Sequence, residues 1–193
     1  GLSMQKRMKA SFWAEVTAWA LAAILLIGTL VYFNACKKEQ EISVYGTGDA
    51  CPQFDAVLYR TKADPEGGVF TPKSAKGKVM ILNFWYTTCG PCLKELPDFN
   101  AVQSEYGEKV KIVALHSYSA DTDVDKQAFL EDKFPDYVIS FAQDTESFHL
   151  YDSLGGAGSY PMTVIADGDG IIRFIKQGSI TLTELQTEIE KLI

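Results

Sequence analysis

The sequence predicts an α/β domain built on a strand–helix–strand unit and preceded by an apolar N-terminal segment. Three observations carry this. The run Val79–Trp85, VMILNFW, has the length and the β-branched, aromatic composition of a buried central strand. It stops at a polar turn holding Cys89-Gly90-Pro91-Cys92, after which Leu93, Leu96, Phe99, Ala101 and Val102 trace a helical face. A second apolar run, Val110–Leu115, follows, and strand, helix and strand in that order imply a parallel crossover.

At 193 residues the chain suits one globular domain plus an extra N-terminal part. The formal net charge is −7, and residues 37–193 alone carry −9. Such an acidic domain argues against nucleic acid as a partner. The first 36 residues hold three basic groups and one acid. After Lys6, Arg7, Lys9 and Glu15, the 20 residues from Val16 to Ala35 carry no charge, long enough as a helix to span a bilayer core of roughly 30 Å. Basic residues ahead of the run favour an N-in orientation, which places the rest of the chain outside the cytoplasmic membrane. Two endings stay open for residues 1–35: a retained signal anchor, or a lipoprotein signal removed before Cys36, the lipidation candidate. Phe33-Asn34-Ala35-Cys36 is an imperfect lipobox, with Phe33 where leucine is preferred.

Residues 36–50 are polar, contain two glycines and predict a tether, leaving 51–193 as the folded domain. Cys51 reads as a small buried hydrophobe, with pairing to Cys36 and an accessory thiol as the other readings. Asp55–Tyr59 and Gly68–Thr71 predict a short β pair. Asp121, Asp123 and Asp125 imitate the start of a calcium loop, but Lys126 stands where that loop needs glycine, so they read as acids at a helix start over Asp121–Asp132. A strand over Val138–Ala142, a helix over Glu146–Leu154 and the glycine-rich loop Gly155–Gly158 come next. Asp167-Gly168-Asp169-Gly170 then predicts a hairpin turn before a last strand, Ile171–Lys176. Thr181–Glu184 is a capped helix start, with Leu185, Ile189 and Leu192 facing inward. His116 and His149 lack ligand spacing to each other.

The cysteine pair carries the chemistry. A helix N-terminus favours negative charge, so Cys89 should ionise below the roughly 8.5 of a free thiol and act as the attacking sulfur. Cys92, one turn on and further from solvent, is then placed to resolve a mixed disulfide. Half of a zinc site is the competing use of this spacing, but the chain has no second CxxC and no HxxxH. No cofactor is called for.

The stretch resembles the active site of the thioredoxin superfamily, and more closely its membrane-tethered TlpA/ResA-like thiol-disulfide oxidoreductases. Lys78, Val79, Leu82, Asn83, Phe84, Trp85, Thr87, Cys89, Pro91, Cys92, Lys94, Glu95 and Pro97 all match that branch's pattern. Thr88 departs, standing where the branch usually has tryptophan. The resemblance implies a thioredoxin-like fold, a central mixed sheet flanked by helices. It implies catalytic roles for Cys89, Cys92, Asn83, Glu95 and Pro161, the last as a cis proline at the start of the strand facing the cysteines. It places Trp85, Thr88, Gly90, Pro91 and Tyr160 in the substrate-binding surface. It also implies a protein disulfide as substrate, a CcdA/DsbD-like membrane thiol carrier as electron donor, and a task such as cytochrome c maturation. The Gly90-Pro91 dipeptide, shared with thioredoxin, suggests a reductant. Alternatives are a disulfide-forming oxidant of the same fold, a peroxiredoxin-type peroxidase and a thiol-based copper carrier. The peroxidase reading lacks a proline at the required spacing before Cys89, and the carriers resemble C-x-x-x-C.

Overall fold

The computed structural model describes residues 16–17, 19–29, 44–121, 123–144 and 150–193. The chain divides into two units, Gly1–Glu41 and Ile42–Ile193. In the first, residues 16–17 and 19–29 are helical (α1), with exposed side chains. Among the described residues no helix is long and apolar enough to cross a membrane. The expected span Val16–Ala35 runs partly outside the described residues, and Cys36 and His149 lie outside them altogether.

The second unit is a seven-stranded mixed sheet with helices on both faces. Its strands are β1 (Ala56–Leu58), β2 (Gly68–Phe70), β3 (Val79–Trp85), β4 (Val110–His116), β5 (Ser140–Gln143), β6 (Met162–Ala166) and β7 (Ile172–Gln177), in the spatial order β2-β1-β5-β4-β3-β6-β7. β3, β4 and β5 run parallel, while β6 lies antiparallel to β3 and β7 to β6. The helices are α2 (Gly90–Tyr106), α3 (Lys126–Lys133), α4 (Leu150–Ser153) and α5 (Leu182–Glu190).

Every residue of β3 is buried, as its unbroken apolar run requires, because helices and loops cover both of its faces. Alternation sorts its side chains. Val79, Ile81 and Trp85 join Leu96, Phe99 and Val102 of α2, Leu130 of α3, and Leu185 and Ile189 of α5 in one cluster. Met80, Leu82 and Phe84 join Phe54, Phe70, Leu150, Tyr151 and Met162 in another. Each such side chain taken fully out of water stabilises the fold by about 1.5–3 kcal/mol. Asn83 is the polar interruption of the first face. In α2, Leu96, Phe99 and Val102 point inward as the pattern requires, but Ala101 is exposed and the inward stripe passes instead through Cys92 and Glu95. Pro97 sits inside α2 and supplies no N–H for the carbonyl of Leu93.

Other boundaries moved for identifiable reasons. The helix expected from Asp121 begins at Lys126, where Asp125 caps it by accepting the Ala128 N–H at 3.1 Å. The strand expected over Val138–Ala142 is Ser140–Gln143. Of the expected tether, residues 44–50 are hydrogen-bonded to the domain. Tyr45 N–H donates to Ser153 O, Gly48 N–H donates to Ile172 O, and Ala50 bridges Ile171. In the 167–170 turn the Asp167 carboxylate accepts the N–H groups of Asp169 and Ile171, each at 3.0 Å, and pairs with Arg173.

Candidate active site

The turn after β3 delivers the cysteine pair to the head of α2. Cys89 is the N-cap, and its sulfur accepts the Cys92 N–H at 3.3 Å, so the residue that carries the chemistry also closes the first helical turn. Cys89 and Cys92 are joined as a disulfide, with Cα atoms 5.3 Å apart. Both cysteines are buried, Cys89 keeping 3% of its surface exposed and Cys92 none. Thr88, Gly90 and Pro91 are exposed around them. On reduction, the unpaired N–H groups of the first turn and the helix dipole face Cys89 and favour its thiolate.

Three residues after Cys92 on the same helical face stands Glu95, buried to 4% exposure. Its Oε1 accepts from Asn83 Nδ2 at 2.7 Å and its Oε2 from the Ile180 N–H at 3.0 Å. Asn83 Nδ2 also lies 3.4 Å from Thr163 Oγ1, while Asn83 Oδ1 has no hydrogen-bond partner. Burial pushes the Glu95 carboxyl up to about 7, the two hydrogen bonds only partly offsetting the loss of water. A carboxyl that changes charge near neutrality therefore stands one helical turn from Cys92.

Pro161 precedes β6, and the Tyr160–Pro161 peptide is cis. Because Phe84 pairs with Met162, Pro161 lies at the C-terminal end of β3, beside the turn that carries Cys89. Tyr160 is half-buried. Its ring stacks on Tyr151 at 4.3 Å and meets the Tyr86 ring edge-on at 5.3 Å, and its hydroxyl donates to Ser117 Oγ at 2.9 Å. Burial raises the Tyr160 phenol well above its ordinary value, so it stays neutral.

Trp85 corrects the reading that placed it in the substrate-binding surface. It has no exposed surface and packs among His116, Phe129, Phe134 and Phe141, beneath the turn rather than on it. Adjacency to the cysteines in sequence does not make it a surface residue, because the strand is covered on both faces. Cys51 is free and buried, with burial pushing its thiol up to about 12. Among the described residues no group of three or more His, Cys, Asp or Glu gathers that could hold a metal ion.

Two contacts went unseen in the sequence. Asp121 accepts the Thr87 N–H, and Ser117 receives the Tyr160 hydroxyl. Both join segments more than thirty residues apart, and no local pattern signals them.

The Redoxin family matches residues 47–192. The thioredoxin-like protein YneN of Bacillus subtilis is 30% identical over 177 residues, covering 88% of this chain and 96% of its own length. Thiol-disulfide oxidoreductase ResA of Oceanobacillus iheyensis is 28% identical over 164 residues, covering 84% of this chain and 81% of its own. Among solved structures, the exposed lipoprotein thioredoxin Etrx1 of Streptococcus pneumoniae superposes with a TM-score of 0.62 at 19% identity, covering 73% of this chain and all of that one, a likeness of fold alone. With the match spanning the second unit but for its first five residues and its last, this chain belongs to the Redoxin family, as a ResA-like protein of the thioredoxin superfamily.

Proposed function

We propose that this chain is a thiol-disulfide oxidoreductase that reduces protein disulfides at the outer face of a bacterial cytoplasmic membrane. The observation that carries the redox reading is the Cys89–Cys92 disulfide at the N-cap of α2, with Glu95 buried one turn behind Cys92.

The cycle balances on these residues. In the reduced protein the Cys89 thiolate attacks one sulfur of a substrate disulfide. A Cys89–substrate disulfide forms, and the other substrate sulfur leaves as a thiolate that takes a proton from water. Cys92 then loses its proton and attacks the Cys89 sulfur, releasing the second substrate thiolate and leaving the Cys89–Cys92 disulfide. Two electrons pass to the substrate. The role of Glu95 is to receive the Cys92 proton, since a carboxyl titrating near 7 can exchange it at neutral pH. Asn83 orients that carboxylate. Pro161 and Tyr160 border the groove in which the substrate chain lies, with Thr88, Gly90 and Pro91 forming its exposed floor.

The membrane side of the reading rests on sequence and kinship. The uncharged run Val16–Ala35 behind basic residues supports an anchor, and Cys36 is where a lipid would be attached. Reoxidised protein would be recycled by a CcdA/DsbD-like membrane thiol carrier, and the ResA likeness supports cytochrome c maturation as the task.

The test is mixed-disulfide trapping combined with insulin reduction. Cys92→Ser should accumulate a covalent adduct with a protein disulfide that dithiothreitol releases, and Cys89→Ser should form none and reduce no insulin. Turnover surviving in Cys89→Ser would refute the assignment. A reduction potential near roughly −270 mV supports a reductant, and one near roughly −120 mV would reverse the direction.

A further inference from the structure

Asp121, in the loop after β4, is the only non-glycine residue with a positive φ among the described residues, at 53°. Aspartate tolerates that left-handed region better than most residues, but it remains disfavoured. Its side chain reaches back to the redox turn. Oδ2 accepts the Thr87 N–H, and Oδ1 lies 3.5 Å from the Thr88 hydroxyl. The same Oδ2 faces His116 Nε2 at 3.2 Å.

His116 is fully buried and packed edge-on against Trp85, and its Nδ1 has no hydrogen-bond partner. A carboxylate requires a donor, so the ring proton sits on Nε2. Burial, with Lys126 adding to it, lowers the imidazole's affinity for a second proton, which leaves the ring neutral and unable to cancel the charge on Asp121. Burial alone would raise the Asp121 carboxyl, but the hydrogen bonds from Thr87 and His116 hold it below its ordinary value, so it is ionised. Thr87 and Thr88 immediately precede Cys89, whose own N–H closes the turn on Tyr86 O at 3.1 Å.

We propose that Asp121 is a positioning residue for the redox pair: oriented by His116, its carboxylate fixes the Tyr86–Cys89 turn and sets a negative charge beside Cys89 that opposes the head of α2. This rests on the reading of Cys89 and Cys92 as the cycling pair. A like charge disfavours the Cys89 thiolate and so destabilises the reduced form relative to the disulfide, which makes the pair a stronger reductant. Screened by the solvent around the exposed Thr88, one such charge shifts the thiol by about half a pKa unit.

The decisive variant is Asp121→Asn in the full chain, which keeps an acceptor for the Thr87 N–H and removes the charge. The Cys89 pKa is read from thiolate absorbance, and the equilibrium constant against glutathione is measured at pH 8. The expected result is a Cys89 pKa lower by about half a unit and an equilibrium shifted about twofold towards the reduced form, about 9 mV. Asp121→Ala, which also frees the turn, should slow insulin reduction about tenfold; where it does not fold, Asp121→Asn decides alone. A wild-type pair that cycles with glutathione beside an Asp121→Asn pair of unchanged pKa and equilibrium overturns this proposal alone. A wild type that does not exchange with glutathione overturns the redox reading as well.

Discussion

Glu95→Gln tests the buried carboxyl through folding rather than turnover. Glu95 titrates at about 7 in the folded protein against an ordinary 4.5, so between those values the folded form holds a proton that the unfolded form has released. Stability therefore falls as pH rises through that window. The contribution is fully present below about pH 4.5 and is lost by about pH 7. At about 1.4 kcal/mol per unit, the shift corresponds to about 3 kcal/mol. Glutamine cannot ionise, and an amide flip at Asn83 would turn the partnerless Oδ1 towards the new Nε2–H, so the variant keeps a bonded core without the charge. Urea unfolding of the oxidised protein, wild type and variant in parallel from pH 4.5 to 8, reads the effect as a difference of differences. The variant should gain about 3 kcal/mol on the wild type across that range, about 6–12 °C in melting temperature. Stability curves that stay parallel, or a variant that loses ground as pH rises, would refute the burial argument and the proton-acceptor role built on it.

Four further outcomes follow from the packing. Trp85→Ala should destabilise the domain by about 3–5 kcal/mol in thermal or urea unfolding, because the ring is fully buried. Trp85→Phe should leave the KM for insulin unchanged, since the residue touches no substrate. Cys51, buried and with its thiol pushed up to about 12, should stay unalkylated in native protein under peptide mass mapping and react only on unfolding. Gly156→Ala should raise KM more than it lowers kcat. Its Cβ would fall 2.3 Å from the Tyr151 ring, and displacing that ring removes the stack that supports Tyr160 beside Pro161.

What sequence could and could not show divides along physical lines. The strand Val79–Trp85, the helix opening at the cysteines and the strand read over Val110–Leu115, which runs one residue further to His116, were legible because burial, turn and cap are each written within a few consecutive residues. Trp85 was misplaced because the resemblance set it with the residues around the cysteines, although it ends the strand Val79–Trp85 whose apolar run already signals burial. The closeness of Glu95 to Cys92 is readable from helical spacing, but its raised pKa comes from burial under other elements, which the hydrogen bonds from Ile180 and Asn83 only partly offset. Asp121 looked like a helix-start acid, since Asp121, Asp123 and Asp125 all offer a carboxylate ahead of α3. The fold used Asp125 for the cap and left Asp121 for a partner 34 residues away.

The proline inside α2 divides that helix mechanically. With no N–H at position 97, the ladder of hydrogen bonds is interrupted between the segment that carries Cys89, Cys92 and Glu95 and the segment anchored by Phe99 and Val102. The gap falls directly behind the redox end, whose Cys92, Glu95 and Leu96 are themselves buried. That end is therefore held in place by side-chain packing and by the Asn83 and Ile180 bonds to Glu95, and not by an unbroken backbone ladder.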